Sequence, residues 1–461
     1  MTTPIILWLR RDFRLTDNEA LSTAAETNRP IIPVFIHDPL VEALGAAPKW
    51  RLGEAIANFS SILKKHGSRL ILRRGDALGC LQALITETGA DTVIWSRAYD
   101  PDTVARDKVL KATLKTQGLS VQSHPGQLLF EPWTVEKGTG GPYGVYTPYW
   151  RNVAGREVSE TLPPPKSICA PQVWPASDML ADWKLDASMN RGAGIVAKHA
   201  PIGEQAAFDR LSYFLGSLVD AYADDRNRPD RDATSRMSAH LTTGEISPRM
   251  IWHAAQRALT EGRPGAETFL KELVWREFAW HLLWHNPQLA TQNWRDGWDK
   301  FPWRGENDDA TLWKRGLTGE PIVDAGMREL YVTGTMHNRV RMITASYLTK
   351  HLLTDWRVGL KWFEETLVDW DPASNAMGWQ WVAGCGPDAS PFFRIFNPAT
   401  QAEKFDPNGA YRAKYLQADG ATDFFKAFPQ SWHLSRNLPA PGPIISLADG
   451  RARALAAYKA L

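Results

Sequence analysis

The sequence predicts a two-part fold, with an α/β domain followed by an all-helical domain. In the first 130 residues, short β-branched runs alternate with helical patterns, which is typical of a parallel sheet with crossover helices. The alternation of strand and helix patterns ends in a Pro-, Gly- and Ser-containing stretch around Pro163-Pro164-Pro165. The later residues carry Trp-rich amphipathic helical patterns. We therefore predict an α/β domain at residues 1–130, a connector at 131–202 and a helical domain at 203–461.

The strand segments of the first domain are mostly apolar, so we expect them to be buried. They are predicted at residues 5–9, 31–36, 70–72, 92–95 and 120–122. Helices are predicted between them, for example at residues 50–66 and 78–87. This order indicates a five-stranded, parallel, doubly wound sheet with helices on both faces.

A basic loop follows the first strand. The segment Arg10-Arg11-Asp12-Phe13-Arg14-Leu15 stands at the carboxyl end of a strand, where open α/β sheets bind ligands. The G-x-G-x-x-G pattern of dinucleotide sites does not occur there. Both a ligand-binding loop and a salt-bridged surface turn fit this segment.

The composition is that of a globular protein with few special constraints. No run of 18 apolar residues and no secretory leader occur, so we expect no membrane span and a cytoplasmic location. Three widely spaced cysteines do not favour a disulfide framework, a zinc site or an iron–sulfur cluster. The net charge of +2 means that nucleic-acid binding would require a locally basic face.

The richest segment for chemistry runs from Asp369 to Trp381 and contains two aspartates, Asn375 and a Trp-x-Trp pair. Carboxylates and an amide can hold the polar edge of a ring cofactor, whereas tryptophans conduct electrons or stack on a flat base. The alternative is a Trp-rich core segment with two capping aspartates. The chain has 21 tryptophans, 14 of them after residue 200. Structural packing explains most of them, and their density also raises the question of stacking or electron transfer.

Two polar segments precede this one. Residues 232–238 form a loop that leads towards a helix, and its hydroxyls and free N–H groups could hold a diphosphate. Ser247 before Pro248 is a plausible helix cap. Ordinary capping is the competing interpretation for both segments.

Two further helical segments place unusual side chains on one face. At helical spacing, Glu272 shares a face with Trp275 and Arg276, which suits either an ion pair beside a core Trp or a carboxyl beside a stacking surface. Asn338, Arg341 and Met342 also share a face, a combination that is unusual for a core. An internal Arg would need a partner, and the aspartates at 369 and 371 are candidates.

Several motifs, in order along nearly the whole chain, resemble the photolyase/cryptochrome family, especially its cyclobutane pyrimidine dimer (CPD) photolyases. The motifs are Arg10-Arg11-Asp12-x-Arg14-Leu15, Thr234-Ser235-x-x-Ser238, Glu272-x-x-Trp275-Arg276-Glu277-Phe278, Met336-His337-Asn338-Arg339, Gly378-Trp379-Gln380-Trp381 and Phe393-Arg394-Ile395-Phe396-Asn397-Pro398. The resemblance implies light-driven repair of CPD lesions by electron transfer from reduced FAD to a flipped-out lesion. The alternatives are a blue-light receptor of the cryptochrome type without repair activity and a non-catalytic flavoprotein that binds nucleic acid.

The resemblance also assigns roles to individual residues. The predicted FAD contacts are Tyr222, Thr234, Ser235, Met237, Ser238, Arg276, Asn338, Arg341 (paired with Asp369), Asp369, Asp371 and Asn375. Asn375 matches the position that faces flavin N5, where a neutral amide supplies no proton and so favours repair over signalling. The predicted lesion pocket contains Glu272, Trp275, Asn338, Met342 and Trp381. The predicted DNA-backbone contacts are Arg226, Arg339 and Arg394, and the predicted electron chain to the flavin is Trp303, Trp356 and Trp379.

The resemblance further implies a second, light-harvesting chromophore between the domains. Methenyltetrahydrofolate, a deazaflavin and a flavin all occur in the family, and the sequence does not choose among them. Candidate contacts are Phe35, His37, Asp38, Arg51 and Tyr99, for which sheet-edge and helix-cap roles are equally compatible. UV-damaged DNA is the expected partner, and we expect a monomer without bound metal.

Overall fold

The computed structural model describes residues 2–388, 393–417, 423–436 and 438–461. In these ranges one parallel sheet has five strands in the order β3-β2-β1-β4-β5. The strands are β1 Ile5–Leu9, β2 Ile31–His37, β3 Ile71–Arg74, β4 Thr92–Ser96 and β5 Ser120–His124. The helices between them are α1 Glu19–Glu26, α2 Pro39–Glu42, α3 Ala46–Lys65, α4 Ala77–Thr88 and α5 Pro101–Thr116. We refer to residues 2–124 as the α/β region.

Both faces of the sheet are covered by helices. Ile5 and Leu7 of β1 join a core with residues of α1 and α3. Ile6 and Trp8, which point to the opposite face because side chains alternate along a strand, join a second core with α4 and α5. The predicted doubly wound parallel sheet is confirmed.

The predicted boundaries differ from the observed ones by one or two residues at β2, β3, β4, β5 and α4, and by four residues at the start of α3. Strand β3 covers Ile71–Arg74 and not residues 70–72. Helix α3 begins at Ala46, four residues before its predicted start. Pro48 obscured that start, but a proline is tolerated in the first helical turn because its missing N–H has no partner there.

The rest of the described chain is helical. Its helices are α6 Tyr146–Val153, α7 Ala193–Val196, α8 Glu204–Tyr213, α9 Tyr222–Asp225, α10 Ser238–Thr243, α11 Pro248–Thr260, α12 Ala266–His285, α13 Asp308–Arg315, α14 Pro321–Thr333, α15 Asn338–Ser346, α16 Trp356–Thr366, α17 Pro372–Ala383, α18 Pro398–Phe405, α19 Ala410–Leu416 and α20 Leu447–Lys459. Helices α6 and α7 lie within the predicted connector, and α6 packs on the core of the later helices. The domain boundaries at residues 130 and 202 stay predictions.

The basic loop after β1 fastens the α/β region to the later helices. The Arg14 guanidinium is buried and donates hydrogen bonds to the carbonyl oxygens of Asp17, Gly244 and Gly126. Asp17 accepts from Arg249 Nη2 at 2.7 Å and also from the Ser247 hydroxyl. Both interpretations of this loop are therefore wrong at Arg14, which is neither open to a ligand nor at the surface.

A second buried group reinforces the same contact. Arg51 of α3 is fully buried and donates to Glu245 Oε2 at 2.6 Å. His240 Nδ1 lies 2.5 Å from the same oxygen. Gly244 approaches so closely that a Cβ built on it would overlap the carbonyl oxygen of Arg11. We call the buried contacts that Arg14, Arg51 and Gly244 make between the α/β region and the later helices the seam.

Helix α17 is central to the later helices, since it packs against α12, α15 and α16. Asp371 caps its start by accepting the N–H of Ser374 at 2.7 Å, and Pro372 occupies the first turn. Its last turn ends at Gly384 in the left-handed conformation, as is common at helix ends. None of the helices in the described ranges is long and apolar enough to cross a lipid bilayer.

Candidate functional site

Asp369 joins three of the segments singled out in the sequence. Its carboxylate accepts from Arg341 Nη2 at 2.9 and 3.0 Å and from the Ser238 hydroxyl at 2.7 Å. Arg341 lies in the first turns of α15, and Ser238 is the first residue of α10. The ion pair expected between Arg341 and Asp369 is present, and it fixes the starts of two helices beside the segment that leads into α17.

Asp371 and Asn375 are held by hydrogen bonds to neighbouring helices. Asp371 Oδ2 accepts from the indole N–H of Trp280 at 3.0 Å, while its other oxygen caps α17. Asn375, one turn later, donates through Nδ2 to the carbonyl oxygen of Leu360 in α16 at 3.1 Å. This bond fixes the amide and leaves its oxygen and one N–H for another partner.

The loop before α10 is organised by a residue outside the predicted set. Arg210 of α8 donates to Asp232 at 2.8 and 2.9 Å and to the carbonyl oxygen of Ser235 at 3.1 Å. Met237 is buried at the helix cap, whereas Ser238 is exposed. Thr234 and Ser235 thus lie in a loop that leads into α10, as the sequence predicted, and Ser238 is the first residue of that helix. The role of these residues towards a diphosphate stays a prediction.

Tyr222 lies at the start of α9, buried against aromatic neighbours. Its ring packs edge-on against Phe214 and Phe269 at centroid distances of 5.2 and 6.0 Å. Arg226, one turn later, lies 5.7 Å from the centre of that ring. The aromatic packing places Arg226 beside the residues of α12.

Glu272 of α12 pairs with Arg226 and not with Arg276. Its Oε1 lies 2.6 Å from Arg226 Nη1, so the ion pair suggested by helical spacing is wrong. Burial raises the pKa of the Glu272 carboxyl in spite of the neighbouring guanidinium. One face of Trp275 is covered by Tyr146, with ring centroids 3.6 Å apart and planes 8° apart. The other predicted wall, Trp381, donates its indole N–H to the carbonyl oxygen of Asp388 at 3.2 Å.

Arg276 and Glu277 turn towards the segment after β5. Arg276 Nη1 donates to the carbonyl oxygen of Gln127 at 2.9 Å and lies 3.2 Å from Glu277 Oε1. The fully buried Glu277 accepts the N–H groups of Leu129 and Phe130 at 2.7 and 3.3 Å. Burial raises its pKa to about 7. The role of Arg276 towards a cofactor stays a prediction.

A groove of about 410 Å³ opens beside α15 and α18. Arg339 lies in it, donates to Asn227 Oδ1 at 2.7 Å, and stacks 4.4 Å from the centre of the Phe405 ring. The exposed Arg394 and Lys404 line the same groove. On the adjoining helix, Asn338 is exposed and Met342 is half-buried. The structure therefore brings two of the three predicted DNA contacts into one basic groove.

The three tryptophans of the predicted electron chain lie in or beside α16. A backbone bridge joins Arg304 to Thr354, so Trp303 lies beside the segment that enters α16. Trp356 is the first residue of α16, is buried, and donates its N–H to Asn293 Oδ1 at 2.9 Å. Trp379 of α17 packs against Phe363 of α16 at 4.9 Å between ring centroids. The role of the three rings in electron transfer stays a prediction.

All five candidate antenna contacts have protein partners of their own. Phe35 packs on Phe13 and Trp183, His37 contacts Glu42, Asp38 caps α2 and pairs with Arg106, and Arg51 belongs to the seam. Tyr99 donates its hydroxyl to Glu131 Oε1 at 3.1 Å and lies in an aromatic group with Trp133, Trp280 and Trp284, of which Trp133 is exposed. A cap role accounts for Asp38, whereas Phe35 belongs to the core of an internal strand. The role of the five residues towards an antenna stays a prediction.

Sequence reasoning missed three residues that shape this site: Tyr146, Arg210 and Glu277. A signal existed for Tyr146, because Tyr143, Tyr146 and Tyr149 repeat at a spacing of three, which is compatible with one face of a helix. Asp232, which accepts from Arg210, lies 22 residues away in the chain, and Leu129, which donates to Glu277, lies 148 residues away. Nothing in the local pattern reveals them.

Comparisons with known proteins agree with this geometry. The profile of DNA photolyase matches residues 5–166, and that of the FAD binding domain of DNA photolyase matches residues 269–460. The deoxyribodipyrimidine photo-lyase of Agrobacterium fabrum is 48% identical over 475 residues, covering 100% of this chain and 98% of that protein.

Two solved structures extend the comparison. A bacterial class III photolyase from Agrobacterium tumefaciens superposes with a TM-score of 0.91 at 47% identity, covering 100% of this chain and 98% of that one. An archaeal photolyase from Sulfolobus tokodaii, solved with two FAD molecules, gives a TM-score of 0.83 at 27% identity and covers 100% of both chains. The chain belongs to the DNA photolyase family, and its helical part carries the FAD-binding domain of that family.

Proposed function

We propose that this protein repairs cyclobutane pyrimidine dimers in DNA with light, using FAD. The observation that carries the proposal is the pair of Glu272 and Arg226 next to Trp275. The Glu272 carboxyl, with the Arg226 guanidinium beside it, can hydrogen-bond the polar edge of a pyrimidine pair. The adjacent indole offers a flat surface for a base that has left the duplex.

The side chains around Asp369 fit the cofactor that the family binds. Ser238 and Asn338 are exposed although they belong to helices packed in the core of the protein. Among the residues that the structure describes, the oxygen and one N–H of the Asn375 amide have no protein partner. We assign the ribityl and diphosphate part of FAD to Tyr222, Thr234, Ser235, Met237 and Ser238, and its ring systems to Arg276, Asn338, Arg341, Asp369, Asp371 and Asn375.

When bound and reduced, FAD supplies a light-excited electron to the dimer and takes it back once two carbon–carbon bonds have opened, so the repair needs no net oxidant. The protein residues position the groups and exclude water. Asn375 is a neutral amide, so it holds a hydrogen bond without delivering a proton to the cofactor, which an aspartate there could do. Arg341, already paired with Asp369, adds positive charge without an unpaired ion.

The lesion class follows from the residues on α15. Photolyases for (6-4) lesions carry histidines where this chain has Asn338 and Met342. An amide and a thioether cannot act as a general acid at neutral pH. They can line a pocket for a dimer that needs only binding and an electron, so we assign the cyclobutane lesion.

The basic groove is assigned to the DNA backbone. Arg339 and Arg394, with Lys404 beside them, present positive charge along one open surface, and Arg226 adds charge next to Glu272. Such contacts give salt-dependent affinity with little sequence preference. We propose that the protein acts as a monomer in the cytoplasm.

We also propose a second chromophore that harvests light, either methenyltetrahydrofolate or a deazaflavin. Of the five candidate contacts, Tyr99 has the most suitable surroundings, because an exposed indole lies 6.4 Å from its ring centre. The absorption spectrum of the purified holoprotein tests this. A near-UV band beyond those of the flavin supports it, and a pure flavin spectrum contradicts it.

The repair proposal is tested with the holoprotein and UV-irradiated oligothymidine. With the flavin fully reduced, blue light is expected to restore thymine absorbance, while a dark sample stays unchanged. Glu272→Ala is expected to slow this recovery and to keep its flavin. Flavin loss in that variant would contradict our division of the pocket.

The same experiment separates the alternatives. A light receptor without repair activity would undergo flavin photochemistry without recovery of thymine absorbance. A flavoprotein that merely binds nucleic acid would show equal affinity for damaged and intact strands. Either result would overturn the repair proposal.

A further inference from the structure

Tyr146 stacks on Trp275, one of the two tryptophans that we assign to the walls of the lesion pocket. It is the first residue of α6, is 7% exposed, and belongs to a segment that the sequence assigned to the connector. Its ring lies parallel to Trp275 with 3.6 Å between the ring centroids. A parallel ring at this distance packs on one face of the indole.

The hydroxyl of Tyr146 fixes the ring in that position. It donates to the carbonyl oxygen of Lys271 in α12 at 2.7 Å, one turn before Trp275. The Tyr146 ring is therefore attached to the same helix as its stacking partner. Rotation of the Trp275 indole would break the stack while this hydrogen bond held the tyrosine in place.

The second tryptophan is held by a separate contact. The carbonyl oxygen of Asp388 accepts the Trp381 indole N–H at 3.2 Å. Asp388 has a φ of 51°, an unusual conformation for a residue other than glycine. The wall formed by Trp275 is thus the one that Tyr146 can hold in place.

We propose that Tyr146 is a positioning residue for lesion recognition, because its ring braces Trp275 while its hydroxyl ties that ring to the same helix. This proposal rests on the proposed function. One face of Trp275 is occupied by Tyr146, so this indole can stack on a single base. The pocket then discriminates damaged from intact DNA by a fixed separation of its two walls, and flexible walls would weaken that discrimination.

The test compares three variants of the holoprotein by their affinity for an oligonucleotide with one thymine dimer and for the same intact oligonucleotide. Tyr146→Leu removes the stack and is expected to weaken binding of the damaged strand about five- to tenfold. Affinity for the intact strand and flavin content are expected to stay at the wild-type level. Tyr146→Phe keeps the stack and is expected to restore most of the discrimination.

Tyr149→Leu is the matched control, since Tyr149 lies on the same helix and is 1% exposed. It packs against Phe278 and His281 at 5.2 and 5.1 Å. This variant is expected to lose stability but to keep the wild-type ratio of the two affinities. Equal loss of discrimination in both leucine variants would overturn the proposal, because it would reveal a general effect of loosening α6.

Repair under saturating damaged DNA gives an independent readout. Tyr146 acts on binding, so the yield per absorbed photon at saturation is expected to be unchanged in Tyr146→Leu. A reduced yield at saturation would contradict a positioning role limited to recognition. If the leucine variant loses its flavin, Tyr146→Met replaces it, because the longer side chain fills more of the space while it still removes the stack, and unchanged discrimination there would also overturn the proposal.

These outcomes are separate from the fate of the proposed function. The proposed function is tested with the wild-type protein alone, by recovery of thymine absorbance. If the wild type repairs dimers and all variants discriminate like it, the inference about Tyr146 fails while the function stands.

Discussion

Gly359 of α16 lies directly against the indole of Trp379 in α17. A Cβ built at residue 359 would overlap the six-membered ring of that tryptophan. The two helices therefore touch through a residue without a side chain, one turn after Trp356. This contact fixes Trp379 relative to the helix that carries the next ring of the predicted electron chain.

Gly359→Ala is expected to displace the Trp379 ring and to slow photoreduction of the oxidised flavin. The added methyl also overpacks the helix contact, with an expected cost of about 1–3 kcal/mol in the free energy of unfolding. Photoreduction is measured under blue light with an external reductant. Gly79→Ala in α4, where a Cβ has room, is the control, and photoreduction at the wild-type rate in Gly359→Ala would argue against the role of Trp379.

Asp369→Asn is expected to release the flavin. The change breaks a partly buried ion pair and leaves the Arg341 charge without its partner, with an expected cost of about 1–3 kcal/mol. The ratio of flavin to protein after purification measures the loss of flavin. Thermal unfolding measures the loss of stability. Asp220→Asn removes an exposed pair with Arg263 and is expected to keep the full flavin content. Retention of flavin in Asp369→Asn would contradict the assignment of Asp369 to the cofactor site.

Glu277 makes stability depend on pH. Burial raises its pKa from 4.5 to about 7, so the folded protein keeps a proton that the unfolded chain has already released. The free energy of unfolding is therefore expected to fall as pH rises from about 4.5 to about 7, by about 3 kcal/mol from this group.

Glu277→Gln is expected to remove this dependence, since an amide does not titrate and its oxygen can still accept the N–H of Leu129. Urea unfolding of wild type and variant is measured at both ends of that pH interval. The change in the free energy of unfolding between the two pH values is then compared. Glu267→Gln, an exposed position on the same helix, is expected to titrate like the wild type. Equal pH dependence in wild type and Glu277→Gln would rule out this group as the source.

Arg394→Ala is expected to weaken binding to damaged and intact duplexes equally. Loss of one phosphate contact should lower the slope of log affinity against log salt concentration by about 0.9. Fluorescence anisotropy at several salt concentrations measures the slope. Arg69→Ala changes an exposed arginine of the α/β region and is expected to leave the slope unchanged. A slope that is unaffected by Arg394→Ala would exclude this residue from the DNA contact.

The elements that the sequence predicted best are those defined by local patterns. Apolar runs marked four strands, whereas β5 has few apolar residues and is only partly buried, contrary to the expectation of buried strands. The Ser247-Pro248 pair marked the start of α11, where Ser247 accepts the N–H of Met250 at 3.1 Å. Asp371 is likewise a helix cap, as the alternative with two capping aspartates predicted for it. These features depend on neighbours within a few residues, which a pattern can reveal.

The errors arose where a charged side chain finds a distant partner. Arg14 bonds to Gly244, 230 residues later, and Glu272 pairs with Arg226 instead of the arginine one turn away. Helical spacing shows which residues share a face, but not what the rest of the fold brings to that face. Tyr146 was overlooked because its stack with Trp275 joins two segments 129 residues apart.

The seam has a photophysical consequence. Arg14 and Arg51 are buried and bonded on both sides, so sliding or hinging between the sheet and the helices would expose paired charges at high cost. Resonance energy transfer depends on the distance and mutual angle of two transition dipoles. A pigment held on the sheet side would keep a constant distance and a constant angle to a flavin among the helices. The efficiency of its energy transfer would therefore not fluctuate with domain motion.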